Sequence, residues 1–426
     1  MKVYFEVYGC TLNKADTSLM KSLIIKAGHE ISYNIEQADV IVINTCTVRK
    51  DTEERMLRRI RYLHDYALKN GKKLIVAGCM VSAQPYTVLK TAPLASLLSP
   101  QNITRIVEVI ESNNKLMLIR GERDTNYLSI HMEGVIAAIP IAEGCLGDCS
   151  FCIVKIARRR LMSYKPQLII RVVRDAIARG AKEIELTAQD TASYGKDLGH
   201  VRLHDLINAI IDEVKGNYYI RIGMSNPDTL SEILDGVLEV LRNPKVYKYL
   251  HIPLQSADDK VLKIMKRRYT YDDFKALIKE LRSKIPEISI ATDIIVGHPG
   301  EDNDAFERTV KAVKELMFDK VHLAQYTIRP RTEAASMPQI PEPEKKRRSI
   351  ILSKVIEEVG NTINREYLGK YVKVLLTHRS FRGDVIGRTV NYKPVVLRDS
   401  TLSLGSEVYV RITDYTFFDL RGEYLE

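Results

Sequence analysis

Apolar residues along this chain fall into two rhythms. Near the amino terminus three short runs, Val3–Gly9, Val40–Thr45 and Leu74–Gly78, each stop at a cysteine: Cys10, Cys46 and Cys79. Runs of that length, rich in Val and Ile, predict buried strands. The 35 and 32 residues between the three cysteines accommodate crossover helices, predicted at Asp16–Ala27 and Arg55–Asn70, so the strands run parallel. In an open α/β sheet the loops at the carboxyl ends of the strands share one edge, where ligands bind. Three thiols scattered in sequence can therefore converge in space.

From about Gly134 the pattern alternates strand and helix. Strands are predicted at Ile136–Ile141, Glu183–Thr187, Tyr218–Met224, Tyr249–Leu254, Ile288–Val296 and Val321–Tyr326. Helical periodicity fills the gaps at Gln167–Arg179, Leu203–Val214, Asp228–Leu241, Asp272–Ser283 and Asp304–Leu316. Six such units predict a parallel, curved sheet, an incomplete (β/α)6 barrel with its chemistry at the carboxyl-end loops. A Pro-rich joint, Pro330 to Pro343, precedes a long helix at Glu344–Tyr367. The tail then offers Val372–Leu376, Val385–Thr389, Pro394–Leu397 and Glu407–Ile412 between Gly- and Asp-containing turns, the pattern of a small antiparallel barrel. The fold class is thus α/β with three units: an open parallel sheet (1–113), a partial barrel (131–360) and a small β-barrel (363–426).

Composition narrows the function. The 426 residues are 45% hydrophobic, ample for several cores. Neither a secretory leader pattern nor a run of roughly 18 to 20 apolar residues is present, which predicts a cytoplasmic protein with no membrane partner. Six cysteines are too few for a disulfide framework. The net charge of +10, from 64 Lys and Arg against 54 Asp and Glu, favours a polyanionic partner. In the tail, Arg and Lys lie among Tyr392, Tyr415, Phe417 and Phe418, a set suited to phosphates and stacked bases. The competing reading is a stabilising appendage with these aromatics in its core.

The sharpest chemistry lies in Glu143-Gly144-Cys145-Leu146-Gly147-Asp148-Cys149-Ser150-Phe151-Cys152. Three thiolates spaced Cys-x3-Cys-x2-Cys on one loop can hold three irons of a 4Fe-4S cluster and leave the fourth open to a reactant. A structural zinc site would want a fourth ligand, and no His or Cys follows for more than 40 residues. Cys10, Cys46 and Cys79, each at an equivalent strand end, predict a second cluster, also with one open iron. Ordinary buried cysteines are the competing reading for this second set.

The loop resembles the cluster motif of radical S-adenosylmethionine (SAM) enzymes. Further matches extend along the chain: Tyr8–Asp16, Asn44–Arg49 and Ala77–Met80; His251–Ser256, Met265–Thr270 and Thr292–Glu301; and Gly369, Gly383, Gly387, Arg388, Val396, Gly405, Val408, Ile412 and Gly422 of a TRAM domain. Together these resemble the methylthiotransferase family. Asn13–Asp16 and Leu161–Tyr164 are most similar to its archaeal and eukaryotic branch. The resemblance implies transfer of a methylthio group to carbon 2 of threonylcarbamoyladenosine beside the tRNA anticodon. It implies two 4Fe-4S clusters, SAM as cofactor, an electron donor such as a ferredoxin or flavodoxin, and a sulfur donor. It further implies that SAM would chelate the open iron at Cys145, Cys149 and Cys152 and be cleaved to a deoxyadenosyl radical, while the site of Cys10, Cys46 and Cys79 would carry sulfur. Phe151 is expected against the first cluster. Gln189, Asp190, Ser225, Gln255 and Asp293, at strand ends around one mouth, are expected to contact SAM, and Arg158, Arg267, Arg329 and Arg331 to bind substrate.

Where the family has glycine, this chain has Arg159, Arg331 and Ala257, which changes what those loops must tolerate. Two rival functions use the same cysteines: methylthiolation of isopentenyladenosine tRNA or of a ribosomal-protein aspartate, and a non-catalytic RNA-binding iron-sulfur protein.

Overall fold

The computed structural model describes residues 1–48, 50–398 and 401–424. Arg49, which ends the Asn44–Arg49 motif, and residues 425–426, which end the tail unit, lie outside the described residues.

The amino-terminal strands are β1 (Lys2–Val7), β2 (Glu30–Ser32), β3 (Val40–Thr45), β4 (Lys73–Gly78), β5 (Ser96–Leu98) and β6 (Met117–Leu118). They form one parallel sheet in the order β2-β1-β3-β4-β5-β6. Every residue of β3 is buried, as expected of a strand covered on both faces. The chain leaves β1 for β2 on one side and returns to β3 on the other, so a switch point lies between β1 and β3. Cys10 and Cys46 follow the two strands that flank it, and Cys79 follows β4. Register keeps the three ends level: Val7 pairs with Asn44, and Thr45 with Gly78. The short β5 and β6 carry no apolar run long enough to announce them, and β6 extends the sheet past residue 113.

The central unit contains β7 (Ile136–Pro140), the short hairpin β8 (Ala142–Glu143) and β9 (Met162–Ser163), then β10 (Glu183–Thr187), β11 (Tyr219–Ile222), β12 (Tyr249–His251), β13 (Ser289–Val296) and β14 (Lys320–Gln325). Two parallel sheets, β11-β10-β7 and β12-β13-β14, join through bridges from Ile220 to Val246 and from Met224 to His251. The result is the six-stranded partial barrel expected from the periodicity, with the largest hydrophobic core between strands and outer helices. The predicted helix Asp228–Leu241 is two, Pro227–Ser231 and Leu234–Arg242. Helix Thr11–Lys26 of the first unit lies along the edge strand β7. There the Ser18 carbonyl accepts from the His131 amide at 3.1 Å, and Lys21 pairs with Glu133 at 2.6 Å.

After helix Glu342–Arg365 come β15 (Tyr371–Arg379), β16 (Val385–Thr389), β17 (Pro394–Leu397), β18 (Glu407–Tyr415) and β19 (Leu420–Tyr424), a closed barrel in the order β15-β16-β17-β19-β18. Strand β19 was not legible in the sequence: Leu420-Arg421-Gly422-Glu423-Tyr424 is neither an apolar run nor a clean alternation. Its pairing to β17 and β18 holds it.

This barrel docks under the amino-terminal ends of the central strands. Lys393 pairs with Asp319 at 2.8 Å, and the Tyr219 hydroxyl donates to Glu407 at 2.5 Å. Tyr392, expected on a nucleic-acid face, is a correction: it is inserted into this junction. Its hydroxyl donates to Glu183 at 2.6 Å and Glu185 at 3.1 Å, and its ring lies 4.8 Å from Tyr247 and 4.9 Å from Tyr249. Burial pushes the Glu183 carboxyl up to about 7. Tyr415 packs against the barrel core, whereas Phe417 and Phe418 remain exposed, as does Phe381.

Candidate active site

Backbone freedom brings the first three cysteines together. Gly9 has φ +113°, and a Cβ there would lie 2.9 Å from Cys46 Cβ and 2.7 Å from Asn13 Nδ2. Only glycine permits that approach. The buried Asn13 side chain then ties the loops: Nδ2 donates to the carbonyls of Tyr8 at 2.8 Å and Thr45 at 2.9 Å. Asn44 Nδ2 donates to the Asn13 carbonyl and to Thr17 Oγ1, both at 2.9 Å. Cys10 caps helix Thr11–Lys26, and Cys79 opens the short helix Cys79–Ala83. Burial raises the Cys46 thiol and pushes Cys79 up to about 12. All six cysteines are free of disulfides. A metal binding these thiols displaces their protons, and three thiolates are soft donors of the kind that hold an iron-sulfur cluster.

The second set sits on the loop between β8 and β9. Gly144, at φ +79°, leaves room where a Cβ would lie 1.8 Å from the Arg160 carbonyl oxygen. The Cys145 amide donates to the Arg159 carbonyl at 3.2 Å, and the Gly147 amide to Cys145 Sγ at 3.2 Å. Ser150 anchors the loop: its hydroxyl donates to the Ile264 carbonyl at 2.8 Å and its amide to the Met265 carbonyl at 3.1 Å. Phe151 meets His298 edge-on at 5.8 Å and packs with Val261, Met265 and Ala305. The loop, Met265–Thr270 and Thr292–Glu301, distant in sequence, thus form one structure.

Of the residues expected to contact SAM, Gln189, Asp190, Ser225 and Gln255 follow the carboxyl ends of their strands, whereas Asp293 lies within β13, opposite His322, and their freedom is unequal. Gln189 Oε1 accepts from the Gly144 amide at 2.7 Å. Buried Asp190 accepts from the Asn226 amide at 3.0 Å and from Thr229 Oγ1 at 2.8 Å, so both its oxygens are engaged. Ser225 shares a 2.9 Å hydrogen bond with Thr191. Gln255 adopts φ +69°, and its buried Oε1 has no protein partner. Asp293 pairs with His251 at 3.1 Å. Burial opposes its charge, but His251 wins and the carboxyl lies below its ordinary range.

The four arginines do not form one substrate site. Arg158, 2% exposed, pairs with Asp16 at 2.7 Å and Glu143 at 2.8 Å, and its Nε donates to Cys79 Sγ at 3.2 Å. Arg267 donates to Cys149 Sγ at 3.3 Å and Asn226 Oδ1 at 2.9 Å. Arg329 is buried against Glu53. Arg331 alone is exposed, on a cleft of about 1790 Å³ that also reaches Cys145, Cys149, Cys152, Arg159 and Arg160. Arg159 and Arg331 hold φ +62° and +68°, a backbone region that favours glycine. Asn13, Asp16, Arg123 and Glu143 were not singled out from sequence as site residues. For Asn13 and Asp16 the signal was the match of Asn13–Asp16 to the family motif; Arg123 lies in no quoted motif, and the role of all four depends on tertiary partners.

Three segments of the chain match known protein families. Residues 139–313 match the Radical SAM superfamily, residues 365–425 the TRAM domain, and residues 2–99 the uncharacterized protein family UPF0004. The radical SAM methyltransferase TsrM from Kitasatospora setae, solved with cobalamin and a [4Fe-4S] cluster, shares the fold (TM-score 0.60, 12% identity, 78% of this chain and 77% of that one). The chain is therefore a radical SAM protein in fold. A Methanocaldococcus jannaschii protein named "Probable threonylcarbamoyladenosine tRNA methylthiotransferase" is 41% identical over 99% of this chain and 97% of its own length. The human threonylcarbamoyladenosine tRNA methylthiotransferase is 33% identical over 99% of this chain and 74% of its own. The chain belongs to this methylthiotransferase family.

Proposed function

We infer that this protein is a radical SAM enzyme that methylthiolates threonylcarbamoyladenosine next to the tRNA anticodon, using two 4Fe-4S clusters. The observation that supports this reading is the placement of Cys10, Cys46 and Cys79 just past three level, neighbouring strands and of Cys145, Cys149 and Cys152 on one loop of the adjoining unit, with Arg158 of that unit donating to Cys79. The C2–H bond of adenine offers no proton that a side-chain base removes readily, so the site needs no general base. When bound, the cluster of Cys145, Cys149 and Cys152 supplies the electron that cleaves SAM, and that of Cys10, Cys46 and Cys79 a place for sulfur.

The protein's own groups position and enclose. Phe151, Met265 and Ala305 cover the cysteine loop on its apolar side and limit water there. Gln255, with its free Oε1 at the mouth, and Asp293, within β13, are the strongest SAM-contact residues; Gln189, Asp190 and Ser225 chiefly shape the mouth. Arg331, with Arg159 and Arg160, offers exposed cations on the cleft for tRNA phosphates or the threonylcarbamoyl carboxylate. Phe381, Phe417 and Phe418 supply exposed stacking surface on the carboxyl-terminal barrel. An electron donor of the ferredoxin or flavodoxin type and a sulfur donor complete the set of partners. Among the described residues no helix is long and apolar enough to cross a membrane.

The test offers reduced, reconstituted enzyme tRNAs bearing threonylcarbamoyladenosine, isopentenyladenosine or plain adenosine, with product read by nucleoside mass. Preference for the first is expected. Equal turnover of all three would overturn the specificity, and modification of a ribosomal protein with no tRNA touched would overturn the function.

A further inference from the structure

A single guanidinium connects the two cysteine sites. Arg158 ends the short helix Val154–Arg158 that follows Cys152, yet its side chain reaches into the amino-terminal unit. Nε donates to Cys79 Sγ at 3.2 Å, Nη2 to Asn13 Oδ1 at 2.6 Å, and Nη1 to Glu143 at 2.8 Å, two residues before Cys145. Its main-chain neighbours serve the other site, since the Arg159 carbonyl accepts from the Cys145 amide at 3.2 Å. Arg123, also buried, shares Asp16 with Arg158 through a 2.8 Å ion pair. Two arginines thus face two carboxylates, Asp16 and Glu143, with no net charge in the set. Burying so many charges is costly unless each is matched, and here the match is made across the domain boundary. No comparable guanidinium contact to Cys10 or Cys46 exists among the described residues.

We propose that Arg158 is a positioning residue that sets the reduction potential of the cluster held by Cys10, Cys46 and Cys79, through its N–H bond to Cys79 sulfur and its balance with Glu143. The inference rests on the two-cluster reading above. Adding an electron puts negative charge on a cluster and its sulfurs, so a donated hydrogen bond and a nearby positive charge favour the reduced state. Removing Arg158 deletes the donor and leaves Asp16 and Glu143 facing Arg123 alone. Both changes disfavour reduction. Removing the charge of Glu143 acts in the opposite sense. Arg267, which in the parent chain donates to Cys149 of the other site and to no cysteine of the strand-end set among the described residues, is the internal control.

The experiment uses the full-length chain with Cys145, Cys149 and Cys152 replaced by alanine, so that one reconstituted cluster remains, and follows its reduction by EPR at controlled potential. R158Q is expected to lower the reduced-to-oxidised ratio at a fixed poise at least tenfold, a shift of about 59 mV for a one-electron couple. R158K should shift it less, E143Q should raise it, and R267Q should leave it unmoved. A four-iron cluster whose potential is the same with Arg158 and with Gln would overturn this inference alone. If R158Q does not hold iron, an unmoved potential in E143Q overturns it instead. If the parent protein binds no cluster, the two-cluster reading fails and takes this inference with it.

Discussion

The two cysteine sites reach similar ends by different routes. Cys145, Cys149 and Cys152 share one loop, closed by the hairpin of β8 and β9 and partly open to a cleft. Cys10, Cys46 and Cys79 come from three neighbouring parallel strands, and two of the three are buried. Local spacing builds the first site, and sheet topology builds the second. The first therefore depends on its anchoring turn, through Ser150, and the second on whatever holds three strand ends level, chiefly Asn13 and Asn44.

The largest test of that contrast is iron content. Alanine at Cys145, Cys149 and Cys152, or at Cys10, Cys46 and Cys79, should each leave about half the iron after anaerobic reconstitution, since each set would hold one four-iron cluster. Full iron in either triple variant would erase the distinction.

The opposite end of the barrel should respond to pH without involving either site. Glu183 rises from 4.5 to about 7 on burial, so the folded state holds its proton where the unfolded state has lost it. Stability from this group is full below pH 4.5, falls as pH rises through about 7, and by then has dropped by roughly 3 kcal/mol. Glu183→Gln should gain on the parent by that order between about pH 5 and pH 8 in urea unfolding. A pH-independent difference would contradict it.

Asn13→Ala should cost about 1–3 kcal/mol, because it strands the buried carbonyls of Tyr8 and Thr45. It should reduce iron at the strand-end site while SAM cleavage continues, and loss of cleavage would show that the sites are not independent. The smallest effect belongs to the loops: Arg159→Gly or Arg331→Gly relieves the strain of a side chain at positive φ, roughly 1 kcal/mol, seen as a slightly raised Tm.

Much of this organisation was readable from the chain. Buried strands announced themselves as Val- and Ile-rich runs, and their shared direction placed Cys10, Cys46 and Cys79 on one edge before any coordinates. Side chains whose fate depends on partners far away in sequence were not readable. Arg158 and Arg267 are indistinguishable from surface arginines until Cys79, Asp16 and Cys149 are seen beside them. Tyr392 fits base stacking as well as a domain junction, and only Glu183 and Glu185 beneath it decide. Leu420–Tyr424 becomes a strand because β17 and β18 leave a gap that it closes.

One cysteine site is expected to activate SAM and the other to deliver sulfur. This is tested by incubating each reduced, reconstituted triple variant with SAM and tRNA bearing threonylcarbamoyladenosine, and measuring deoxyadenosine and the methylthio nucleoside in the same reaction. The variant lacking Cys10, Cys46 and Cys79 should release deoxyadenosine and form no methylthio product, and the variant lacking Cys145, Cys149 and Cys152 should form neither. Methylthio product from the first variant, or deoxyadenosine from the second, would contradict this division of roles.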